Sequence, residues 1–206
     1  MAPRRAIAMF VDYVSLLLLN MVAGFALLAV YVYKGLDDPL NRRWAPGFAM
    51  VGVVAFLFGA HMTMTWPVPG PYNSAFGEMS VLYGIIFLGA ALAISQGWSL
   101  ATVAGYAFFA GWAAVVLGAR IINLKLTAAP TLSGIGFIVS GLGGICAAPA
   151  LLWLRHDRGF RLLAALVLLA AAGVWAAVVC PGYWMHMKTF GDWVPLTMQM
   201  PLLTTP

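Results

Sequence analysis

The sequence predicts an all-α protein, a six-helix transmembrane bundle. Three observations point there. Apolar residues make up 63% of the 206-residue chain, and mean hydropathy is +0.94. Charged residues are 8%, where a soluble domain carries about 25%. Six apolar runs approach or exceed the ~20 helical residues that cross a hydrocarbon core. The runs are continuously apolar, not alternating, and lipid offers no partner to an open sheet edge, so strands are excluded. A surface with so few charges also excludes a soluble enzyme, a disordered chain and a nucleic-acid binder. The net charge of +5 sits in small clusters at the ends of the runs, as at membrane interfaces.

The first run, Met9–Tyr33, follows Arg4 and Arg5. It is too long for a signal-peptide core and contains Asp12, so it reads as the first span. The loop Gly35–Pro46 carries Asp37, Asp38, Arg42 and Arg43. The second run is Gly47–Thr65. Trp66–Ala75 reads WPVPGPYNSA, and its prolines rule out a regular helix. The third run, Phe76–Ser95, is short without Phe76–Glu78 and is expected to begin with a polar interfacial turn. Gln96–Ser99 is a tight turn, Leu100–Ile122 the fourth run and Asn123–Pro130 a short connection. The fifth run, Thr131–Leu154, carries Gly136, Ser140, Gly144 and Ala148 four residues apart. That stripe predicts close helix packing. Arg155–Gly159, extended by Arg161, is a basic turn. The sixth run, Phe160–Cys180, carries Ala172/Ala176 and Gly173/Ala177. Pro181–Gly182 is expected to break it, leaving an interfacial C-terminal tail with Tyr183, Trp184 and Trp193. The whole chain, 1–206, reads as one membrane domain. Cys146 and Cys180 lie at different depths, which argues against a disulfide.

Six spans place both termini on one side, here called side A. Arg4, Arg5, Arg120, Lys125 and Lys188 belong to side A; Lys34, Arg42, Arg43, Arg155, Arg158 and Arg161 belong to side B. The counts barely differ. The compact basic turns of side B lean that side toward the cytoplasm and the termini outside.

Polar residues within or near the spans gather toward side A: Asp12, His61, Glu78, Arg120 and His186, with Asn20 the exception. Ionisable groups at membrane depth suggest function. The alternative is snorkelling to the headgroups, the favoured reading for Arg120. Asp12 and Glu78 are too short to snorkel far. His61-Met62-Thr63-Met64 and Met185-His186-Met187 combine imidazole with thioether, a set that suits Cu(I). Alternate residues of a helix diverge, and methionine is common apolar filler, so a structural role competes. The candidate metal ligands are His61, Glu78, His186, Met64 and Met185, with Asp12 and Arg120 as supporting groups. Copper or another transition metal fits this set. Haem between the two histidines has less support, because their spacing is not a haem motif. No Ser-His-Asp, HExxH or CxxC pattern is legible.

The stretch from His61 to Glu78, HMTMTWPVPGPYNSAFGE, resembles the prokaryotic membrane-protein family called domain of unknown function 981. Phe10-Val11-Asp12 and the tail around His186 and Trp193-Val194-Pro195 are similar in layout. The pattern departs at Pro71, where a small polar residue is expected. The resemblance implies a multi-pass protein of a prokaryotic cytoplasmic membrane and supplies no activity or cofactor. It implies that His61, Trp66, Pro67, Asn73 and Glu78 form one feature. Trp66, Tyr72 and Asn73 are the loop's candidate cofactor contacts; the competing reading is an ordered hairpin sealing the bundle.

The expected function is a non-catalytic subunit of a larger membrane assembly, carrying a metal or redox site on one face. A small transporter or channel and a metal-dependent membrane enzyme are the alternatives. Expected partners are the bilayer, other membrane subunits or further copies of the chain, and no nucleic acid.

Overall fold

The structure, a computed structural model, describes residues 11–189 and Gly191. Six helices are long and apolar enough to cross a membrane, and no strand occurs among the described residues. They are α1 (Tyr13–Val30), α2 (Ala45–Thr65), α3 (Met79–Gln96), α4 (Ala101–Leu124), α5 (Pro130–Pro149) and α6 (Arg158–Thr189). Three π turns extend them: Tyr31–Gly35 after α1, Asn73–Glu78 before α3 and Ala150–Leu154 after α5. All three lie at helix ends. The polar start expected for the third span is the Asn73–Glu78 turn.

Local chemistry sets the ends. The Asp12 side chain caps α1 by accepting the Ser15 backbone N–H at 3.3 Å. Pro130 opens α5, where its missing N–H costs nothing. Gly97, at φ 72°, closes α3 in the left-handed conformation that glycine adopts without strain. Outside the spans, Asp38 organises the side B loop. The indole N–H of Trp44, the backbone N–H of Leu40 and Arg43 hold its carboxyl below the usual range.

Each helix packs on its chain neighbours, and α6 returns to α1, closing a ring. The closest pairs are α4–α5, α2–α3 and α1–α6; the seams between pairs are looser. Glycines seven residues apart explain two of the three. A Cβ on Gly111 would stand 2.4 Å from the Gly141 carbonyl, and one on Gly118 2.6 Å from that of Gly134. In α2–α3 a Cβ on Gly59 would meet the Gly77 carbonyl at 2.9 Å, and one on Gly84 the Gly52 carbonyl at 2.9 Å. Such contacts let backbones touch where lipid supplies no hydrophobic drive. The seven-residue period keeps the contact on one seam of an antiparallel pair.

The predicted stripe does pack closely, but against two partners. Gly136 and Ser140 face α6: Gly136 lies under the Trp175 ring, and the Trp175 indole donates to Ser140 Oγ at 3.0 Å. Gly144 does meet α4, where a Cβ would stand 2.7 Å from the Ala107 carbonyl. In α6, Gly173 faces open space, so the Gly173/Ala177 stripe seals nothing there.

Pro181 does not end α6, which runs on to Thr189. A proline in a membrane helix removes one bond that neighbouring groups can replace, so the helix persists. His186 therefore reaches α1 as part of a helix, not through a folded-back tail. The rest of the predicted tail, including Trp193, lies outside the described residues. Cys146 and Cys180 are free thiols, as expected.

The α1–α6 pair is built differently. Leu17, Leu18 and Met21 of α1 share a core with Ala165, Leu168, Ala172, Trp175 and Val179 of α6. At side B, Arg161 is 6% exposed. Its Nε donates to the Val32 carbonyl at 2.8 Å and Nη2 to the Tyr33 carbonyl at 2.7 Å, while Nη1 pairs with Asp37. These are last-turn carbonyls that the helix itself leaves over.

Two predictions follow from this packing. Gly111→Leu should cost about 1–3 kcal/mol through overpacking, and Gly173→Leu should cost nothing measurable; thermal unfolding in detergent compares them, and equal melting would show that the α4–α5 seam is not a close contact. Arg161→Ala leaves two carbonyls without their donor, while the half-exposed Asp37 returns to water, and should cost about 1–3 kcal/mol. Arg161→Lys should recover only part of this, because an ammonium lacks the fork. Wild-type melting of Arg161→Ala would contradict the clasp.

Candidate functional site

Side A gathers the two histidines around the start of α1. His186 Nδ1 lies 2.6 Å from Asp12 Oδ2 and 3.2 Å from Ser15 Oγ. His61 Nδ1 lies 2.7 Å from Tyr13 Oη, with the two rings stacked 5.5 Å apart at 13°. Consecutive residues of α1 thus hold one imidazole from α6 and one from α2. Thr65 adds a bond to the His61 carbonyl at 2.7 Å. Asp12 serves twice, with one oxygen capping α1 and the other on His186. His61 is exposed, whereas His186 is half-buried.

The remaining candidates go elsewhere. Glu78 ends the π turn, accepts a bond from Ser74 Oγ at 3.0 Å and faces a groove between α3 and α4. Met64 and Met185 are exposed and Met62 is buried. Arg120 donates to Asn123 Oδ1 on its own helix at 3.1 Å. Among the described residues no three His, Cys, Asp or Glu side chains form a group that could hold a metal ion. An imidazole held at Nδ1 by a carboxylate or phenol is nonetheless in the orientation that a metal-ligating histidine adopts.

The loop after α2 is tied to itself. Trp66 takes the left-handed conformation at φ 50° and caps α2 through its backbone N–H to the Met62 carbonyl. Asn73 is fully buried. Its amide donates to the carbonyls of Val68 and Gly70, and its Oδ1 accepts from the Val68 N–H. Both amide protons are therefore spent within the loop, and Asn73 has none left for a cofactor. Tyr72 stacks on Phe76 at 5.7 Å. Of the two readings of this loop, the hairpin has the hydrogen bonds.

The interior holds a partly open cavity of about 190 Å³, lined by residues of all six helices. Phe25, Phe48, Phe87 and Phe137 supply aromatic walls, and Ala107 and Gly143 supply small ones. Ser140 Oγ reaches this lining but is already bonded, donating to the Gly136 carbonyl and accepting from Trp175. The Tyr83 ring also lines the cavity. Its hydroxyl lies against Gly24, where a Cβ would collide with it, and it has no hydrogen-bond partner.

The family model described as a protein of unknown function (DUF981) matches residues 7–189. The chain belongs to the DUF981 family. No curated protein and no solved structure gives a significant match. Family membership thus covers every span and assigns no chemistry to any residue. Sequence reasoning selected Asp12, His61 and His186 but missed Tyr13, Ser15 and the cavity. An interfacial tyrosine is ordinary, and the cavity walls are apolar and small residues like those of any span.

Proposed function

We propose that this DUF981 protein is a non-catalytic integral membrane protein that holds an apolar guest inside its ring of helices, as one subunit of a larger membrane assembly or as a homo-oligomer. The observation that carries this reading is the cavity of about 190 Å³ with an almost wholly apolar lining. Benzene binds an apolar cavity of about 150 Å³, so a ring or a short stretch of hydrocarbon chain fits here. Proteins keep few such cavities, and a large apolar pocket is the default binding site. A catalytic reading lacks support, because no nucleophile-base pair lines the cavity. A transporter of the broken-helix kind would place its irregular turns at mid-depth, whereas the three π turns lie at helix ends.

Gly143 lines the cavity, and a Cβ there would meet only Leu168, at 3.9 Å. Gly143→Phe should therefore fill the cavity and leave the fold intact. Organic extracts of the purified wild-type protein should yield an apolar molecule by mass spectrometry, and the variant should yield none at unchanged melting temperature. Equal amounts from both proteins would overturn the reading.

The histidine end favours a second reading, a single transition metal held by His61 and His186 with Met64 or Met185 completing a copper-like set. Its support is the pairing of both Nδ1 atoms by Asp12 and Tyr13. Elemental analysis tests it: a metal near one per chain should disappear in His61→Ala/His186→Ala. A metal-free wild-type protein, or a metal content unchanged in the double variant, would end it.

A further inference from the structure

The outer face of the bundle carries a second concavity, a groove of about 640 Å³ between α3 and α4. Its origin is in the fold. The two helices are joined at side B by a tight turn through Gly97, and near that end a Cβ on Gly89 would stand 3.5 Å from the Val103 side chain. Toward side A they part. Val81, Leu82, Trp112, Val116 and Leu117 line the opening, and Glu78 and Thr63 stand among them. Trp112 and Val116 are more than half exposed, so the groove faces the lipid.

Glu78 is the anomaly. It is an exposed carboxylate at the end of the polar turn that opens the third span, beside a lipid-facing groove. Its one hydrogen bond comes from Ser74, and no cation among the described residues pairs with it. A carboxylate without a cation at the edge of the hydrocarbon carries a desolvation cost. A cationic donor from outside the chain would relieve the cost. Arg120 adds the opposite charge: residues 113, 116, 117 and 120 share one face of α4 by helical spacing. Arg120 thus continues the wall of the groove toward side A, where it is exposed. An acid from the turn before α3 and a base on α4, both at the side A end of an apolar channel, match a zwitterion with a tail.

We propose that the α3–α4 groove binds an aminophospholipid, with Glu78 receiving its primary ammonium, Arg120 its phosphate and the groove one acyl chain. The site is separate from the interior cavity and does not depend on what the cavity holds. The ammonium matters because it donates hydrogen bonds, which a quaternary choline cannot do.

Native mass spectrometry of the full chain in detergent, titrated with phosphatidylethanolamine, phosphatidylcholine or phosphatidylglycerol of matched chains, tests this. Wild-type protein should retain phosphatidylethanolamine on the order of tenfold better than phosphatidylcholine, the equivalent of one charge-assisted hydrogen bond. Glu78→Gln should remove that preference. Arg120→Gln should weaken both lipids alike and keep their ratio. Equal retention of all three lipids by the wild type, or an unchanged preference in Glu78→Gln, would overturn the site. So would lipid-free dimers, because the groove would then be an interface between copies.

Discussion

Arg161 places five N–H groups beside a helix end that has two carbonyls to spare. The other inter-helix pairs form between neighbours in sequence, joined by short connections and sealed in two cases by glycine. The α1–α6 pair joins residues more than a hundred positions apart, so loop closure works against it. At side B it is anchored by the guanidinium on Val32, Tyr33 and Asp37, and at side A by Asp12 on His186. In a hydrocarbon solvent an unmet carbonyl costs several kcal/mol, so polar groups that satisfy one another select this arrangement over open alternatives. The apolar core between the anchors, with Trp175 fully buried, then follows. Without closure six helices would make two hairpins and two loose ends, and no interior cavity.

The glycine code of the hairpins could be read from the sequence, at the right period. Gly52/Gly59, Gly77/Gly84, Gly111/Gly118 and Gly134/Gly141 each repeat after seven residues. A search at four residues finds Gly136, Ser140 and Gly144, which the fold divides between α6 and α4. The spans themselves were legible because hydrocarbon thickness fixes their length. Pro181 was misleading because the cost of a proline depends on what surrounds the freed carbonyl, which the sequence does not state. At the histidine end the charged and imidazole residues stood out as polar groups in apolar runs. Tyr13 did not, since its ring suits the interface with or without a partner. Arg161 was hidden for the same reason: a basic residue in a basic turn looks like a topology signal until its burial is known.

The two concavities share one cause. Within each glycine-sealed pair the backbones touch, and such pairs have little freedom to adjust. Between pairs the contacts are looser, and side chains of fixed size must bridge whatever distance remains. The interior cavity forms where the three pairs meet, walled by phenylalanines from α1, α2, α3 and α5 and by small residues of α4 and α5. The outer groove forms at the α3–α4 seam, between one pair and the next. Close packing inside units produces voids between them, because rigid bodies cannot deform to fill space.

That division also fixes where motion is cheapest. Shearing α4 against α5 would drive the Gly111 and Gly141 backbones into each other, whereas displacing the α4–α5 pair against α3 and α6 slides side chains. Entry to the interior cavity is therefore easiest along a seam between pairs. Of the seams between pairs, α1–α2 is pinned by Tyr13 on His61 and by the Asn20 amide donating to the Val51 carbonyl, and α5–α6 by the Trp175 indole donating to Ser140. The α3–α4 seam has no such polar pin among the described residues. It is also the seam where the groove already opens, so the fold leaves its weakest closure beside Glu78, which has no cation partner among the described residues.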